Sequence, residues 1–196
     1  MSLFAFAGGT ALAVLALCAA PAPAKVFHSR EEMLALAFPD ADKVDAHDYF
    51  LKPEQKAEIE QRARGPLDSD ILTIYTGRKG EAVVGYAVLD TRVVRTLPET
   101  LLVVLTPAGS IAATHLLAFY EPLEYVPGDR WLGQFRGRRL TDNLRVGDEI
   151  AAITGSTLSS RAVVSGVRRV LAAYQVLIEP CVSSSAESGR ATDCSR

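Results

Sequence analysis

The stretch Leu101-Leu102-Val103-Val104-Leu105-Thr106-Pro107-Ala108-Gly109-Ser110-Ile111 decides how this chain folds. The continuous apolar run Leu101 to Leu105 is consistent with a buried strand. Pro107-Ala108-Gly109 marks a turn, and Ile111 to Tyr120 reads as the returning strand. Upstream the same punctuation recurs. Ile71 to Tyr75 is a strand, Gly77-Arg78-Lys79-Gly80 a turn, and Ala82 to Leu89 a second strand. Repeated hairpin spacing predicts a twisted antiparallel sheet, and the flanking helical patterns make the class α+β.

Ser29-Arg30-Glu31-Glu32 is a capping box, and Met33, Leu34, Leu36 and Ala37 continue it as a short helix stopped by Pro39. Lys43 to Leu51 mixes Val, His, Tyr and Phe as a strand does. Lys52 to Arg64 is charged, carries Pro53 early, and is expected as a solvent-facing helix ended by Gly65-Pro66. Asp129 to Phe135 suits one or two helical turns. After Gly155 the pattern is helical again: Val163, Val167, Val170, Leu171 and Tyr174 share a face, with Arg161, Ser165, Arg168 and Arg169 on others. This helix is expected to pack on the sheet and to stop before Pro180. The Ser-rich segment 181–196 is expected to be disordered.

The 196 residues suffice for one domain with a core. A formal net charge of −2 excludes nucleic acid as an expected partner. The basic group Arg136, Arg138 and Arg139 is small enough for a solvated turn or a minor anion contact. Residues 2–24 carry no charge and end in Ala22-Pro23-Ala24, a pattern that suits signal peptidase. Segment 1–24 is therefore expected to be a signal peptide, or else an N-terminal membrane anchor or a lipoprotein signal around Cys18. Each option places the domain 25–180 in the periplasm or on the outer face of the cytoplasmic membrane. Cys181 and Cys194 can pair in such a compartment, or belong to a tail where the thiols are incidental. His28, His47 and His115 lack metal-ligand spacing, so no metal site is expected. His47-Asp48 is no acid–base pair on a strand, because adjacent side chains point to opposite faces. Neither a nucleophile elbow nor a P-loop is present, and no catalytic residue is assigned.

Thr154-Gly155-Ser156-Thr157-Leu158-Ser159 carries the chemistry. Gly155 permits a tight turn, hydroxyls converge, and the helix that follows presents open N–H groups. A phosphate suits that environment, and so does ordinary capping by Ser or Thr.

The segment Asp148 to Val163 resembles the C-terminal signature of FMN-binding domains. These domains occur in flavin subunits of Rnf and Nqr electron-transport complexes and in membrane regulators of nitrous oxide respiration. The upstream residues Phe119 to Tyr125, Gly128, Trp131-Leu132 and Gln134-Phe135 extend the resemblance, which covers roughly residues 80–175. It implies FMN as cofactor, joined by a phosphodiester to the last Thr of the core, here Thr157, by a separate flavin transferase. It further implies that Thr154, Gly155, Ser156, Leu158 and Ser159 surround the phosphate and ribityl chain. Glu121, Tyr125 and Trp131 become candidates for the isoalloxazine environment. Two positions depart from the pattern: Ser156 stands where Ala is usual, and Ala151 stands where the transferase reads an Asp. Non-covalent FMN is therefore an open alternative. The implied function is electron transfer to or from a redox partner protein or membrane electron-transport complex, with no substrate turnover of its own. The competing readings are a flavin-free interaction or sensory module that keeps the fold, and a small periplasmic flavin reductase.

Overall fold

In the computed structural model, Leu101 to Leu105 form the second half of a strand covered on both faces. The structure describes residues 25–26, 29–94, 96–120 and 126–188. Its sheet contains β1 (Lys25–Val26), β2 (Lys43–Phe50), β3 (Ile71–Lys79), β4 (Ala82–Val94), β5 (Leu97–Leu105) and β6 (Ile111–Phe119). The order is β1-β6-β5-β4-β3-β2, and every neighbouring pair is antiparallel. The helices are α1 (Arg30–Ala37), α2 (Pro53–Ala63), α3 (Asp129–Leu132), α4 (Thr157–Ala173) and α5 (Glu179–Ser188). A 3₁₀ turn, Gly133–Phe135, follows α3, and a π turn, Tyr174–Ile178, joins α4 to α5. The class is α+β, as the hairpin spacing predicts. No helix among the described residues is long and apolar enough to cross a membrane.

The uninterrupted apolar run follows from two-sided burial, because alternate residues of a strand face opposite ways. Leu101, Val103 and Leu105 join Ile74, Tyr86 and Val88 beneath Val163, Val167, Val170 and Leu171 of α4. Leu102 and Val104 join Tyr75, Ala87 and Leu117 beneath Met33, Ala37 and Phe38. The α1 helix starts with the expected capping box: Ser29 Oγ accepts from the Glu32 N–H at 3.2 Å, and Glu32 Oε2 accepts from the Ser29 N–H at 2.8 Å.

Three expectations are corrected. Gly77 is no turn residue; it lies within β3, and the chain reverses after Lys79. A Cβ on Gly77 would sit 2.4 Å from the Phe38 ring, so this glycine provides close contact with α1. The α2 helix is not wholly solvent-facing, since Ile59 and Ala63 are buried against Ala172 and Ala173. Arg168 and Arg169, which the sequence puts on faces other than the apolar one, are both buried. Finally, the C-terminal helix does not stop before Pro180. The Glu179 N–H donates to the Tyr174 carbonyl across the π turn, and this widened turn absorbs the backbone donor that Pro180 lacks. Helix continues to Ser188. Residues 189–196 lie outside the described residues.

Candidate functional site

The turn before α4 is built by one glycine. Gly155 adopts φ +82°, and the Ser156 N–H donates to the Ile153 carbonyl at 3.1 Å. An L side chain enters that left-handed region only with strain. A Cβ there would meet nothing within 4 Å, so the backbone angle and not space demands glycine. Thr154 and Thr157 flank the turn and are exposed, as is Leu158.

Ser156 occupies the N-cap position of α4 without capping it. Its side chain makes no cap hydrogen bond, and its Oγ is buried without a partner. The residue is 2% exposed. A buried hydroxyl in that condition costs about 1–3 kcal/mol. The Ser156 carbonyl is occupied, accepting from both the N–H and the Oγ of Ser160 at 2.9 Å. Ser159 is buried as well. The first-turn N–H groups, those of Thr157 to Ser159, are the open donors of a 17-residue helix. Uncapped amides, the positive end of the helix dipole and an orphaned hydroxyl all suit an anionic oxygen. Ordinary side-chain capping, the plainer use of these hydroxyls, does not occur.

The short α3 helix clamps the chain just upstream. Trp131 Nε1–H donates to the Ala151 carbonyl at 2.5 Å, and the Ala151 N–H donates to Gln134 Oε1 at 2.8 Å. The Trp131 ring meets Phe135 edge-on, with centroids 5.4 Å apart. Both backbone groups of Ala151 are thus held by residues about one helical turn apart. Trp131, expected near the cofactor ring, makes its polar contact with the segment leading into the turn. The sequence alone does not mark Gln134 as a site residue, because its partner is 17 positions away. Glu121 and Tyr125 lie outside the described residues.

His47 stacks edge-on against Tyr49 at 4.6 Å, while Asp48 accepts from Thr73 Oγ1 at 2.6 Å. Among the described residues no group of His, Cys, Asp or Glu is placed to hold a metal. Cys181 is disulfide-bonded; Cys18 and Cys194 lie outside the described residues.

No protein-family model and no curated protein sequence matches this chain. Among solved structures, this sheet-and-helix architecture is found in one of similar extent. That structure is NqrC of Shewanella oneidensis, 14% identical, with a TM-score of 0.54 over 82% of this chain and 92% of that one. At such identity the likeness establishes the fold.

Proposed function

We propose that this chain is an exported FMN-binding electron carrier, with the flavin held at the turn Thr154–Ser159. The observation that carries the reading is the uncapped N-terminus of α4, where open amides meet the orphaned Ser156 hydroxyl and the exposed Thr157. The NqrC-like fold supports it independently of sequence, since the motif resemblance leads to flavin subunits of the same kind of complex. A bound flavin supplies the electron-transfer chemistry; the protein supplies orientation and charge. Gly155 shapes the turn, the Thr157–Ser159 amides stay open to acceptor oxygens of the cofactor, and the Trp131–Gln134 clamp holds the segment that enters the turn. The redox partner is a protein or a membrane electron-transport complex.

Ala151 bears on how the cofactor is retained. The family's transferase reads an acid at this position, so we expect FMN here to be held without an ester bond to Thr157. The same substitution favours a second reading, a flavin-free interaction module. Expression in a host with the flavin transferase, followed by acid precipitation, separates the cases. A colourless pellet with a yellow supernatant is the expected result. A yellow pellet with an FMN mass increment on the Thr157 peptide, abolished in Thr157→Ala, would establish covalent attachment. Flavin in neither fraction sinks the carrier reading and leaves the interaction module.

A further inference from the structure

A cavity of about 610 Å³ opens along α4, and four arginines line it: Arg64, Arg145, Arg161 and Arg168. They arrive from three parts of the chain. Arg64 follows α2 in a left-handed conformation with φ 56°, Arg145 comes from the loop ahead of the turn, and the other two from α4. Arg168 is buried, and its guanidinium is spent on backbone, donating to the Ala63 carbonyl at 2.9 Å and the Arg62 carbonyl at 3.1 Å. Arg64, Arg145 and Arg161 have no carboxylate partner among the described residues. The one acid in the lining, Asp148, is engaged by the Asn143 amide. Burial, and then the charges of Arg64 and Arg145, push the Arg168 guanidinium below its ordinary value.

Cations gathered in excess of counter-charge repel one another, and a compact anion between them offsets that cost. A guanidinium fork matches phosphate oxygens two at a time. A phosphomonoester offers three acceptor oxygens and up to two charges, in keeping with three uncommitted guanidiniums that approach from three directions. Position adds a second argument. Arg161, Val164 and Arg168 follow Thr157 at spacings of four, three and four residues, so the cavity lies on the helix face that begins at Thr157.

We infer that this cavity binds the phosphate of a phosphomonoester through Arg145 and Arg161. Resting on the flavin reading above, that ligand is FMN, retained by charge where covalent carriers retain it by an ester bond. Riboflavin, which lacks the phosphate, then becomes the natural comparison.

The test uses the full chain, freed of flavin, with inorganic phosphate, FMN and riboflavin as probes. Backbone amide NMR follows phosphate, and calorimetry follows the two flavins. FMN is expected to bind at least about tenfold more tightly than riboflavin, as loss of charge-assisted hydrogen bonds implies. Phosphate should compete with FMN and shift the amides of the Arg145 loop. The double variant Arg145→Gln/Arg161→Gln should erase the FMN advantage, while Arg136→Gln, an exposed arginine outside the cavity, should keep it. Equal affinity for the two flavins, or an FMN advantage that survives the double variant, overturns the inference and leaves the carrier reading intact. Phosphate binding that the double variant abolishes, with neither flavin bound, does the reverse: the site stands for another phosphorylated molecule and the carrier reading falls. If phosphate leaves the cavity amides unmoved and FMN does not bind, both fall.

Discussion

Asp90 and Arg169 make the most consequential pair in the molecule. Arg169 is 3% exposed and Asp90 17% by side chain, and their groups meet in a two-pronged contact, Nε on Oδ1 at 2.8 Å and Nη2 on Oδ2. Ser165 Oγ accepts from Nη1 at 2.6 Å. Gly166 makes the approach possible, since a Cβ there would lie 2.7 Å from Asp90 Oδ2. The pair ties α4 to β4. Asp90→Ala removes one partner and strands a buried guanidinium, which costs about 3–5 kcal/mol. Urea denaturation of the variant should show that loss as a lower midpoint with an unchanged slope. Sequence periodicity could not reveal this pair. It sorts residues by polarity along one helix, and here the counter-charge comes from a strand 79 positions away.

At the scale of elements, what was legible was local. The α1 cap, the strands β2 to β6 and the start of α4 depend on neighbouring residues, and reading along the chain finds them. Strand lengths were less legible, because β4 and β5 extend each other by pairing as far as Val94 and Leu97. Gly77 reads as a turn until Phe38 is seen packed against it. The turn at Gly155 was visible because glycine and hydroxyls announce it; the clamp on Ala151 and the arginine cavity were not, because each assembles distant segments. The clamp makes a prediction of its own. Trp131→Phe keeps an aromatic partner for Phe135 and deletes the donor to Ala151. A stability loss of about 1 kcal/mol is expected, the usual worth of one such bond, measurable by thermal melting. On the carrier reading, FMN affinity should also fall several-fold. A variant that melts earlier while binding FMN as before would assign the clamp to the fold alone.

Over the whole molecule, the sheet is covered on both sides, and the far end of α4 closes one of them. Tyr174 packs over the Pro107–Gly109 turn, its hydroxyl donating to the Pro107 carbonyl at 2.8 Å. A Cβ on Gly109 would fall 2.2 Å from that ring. Burial, followed by the nearby Tyr86, pushes the Tyr174 phenol up to about 12 from an ordinary 10.0. The folded protein thus keeps this proton after the unfolded chain has lost it. The associated stability is present below pH 10 and is lost as pH rises from 10 towards 12. In denaturation midpoints across that window, the wild-type chain should decline more steeply than Tyr174→Phe. Equal slopes would mean that the phenol titrates normally.

The outermost strand also bears on behaviour in crowded solution. β2 ends the sheet with its far edge unpaired within the described residues, and open edges recruit other strands. This one carries Lys43, Asp45 and Asp48, with Lys43 and Asp45 paired at 2.6 Å. A stranger aligning along it would have to strip water from both signs of charge at once. The same edge ends in Phe50, 75% exposed beside Ile71 in the ladder. Its guard against fibril-like stacking is therefore strongest at the Lys43 end and thins toward Phe50, where self-association of the concentrated protein would begin.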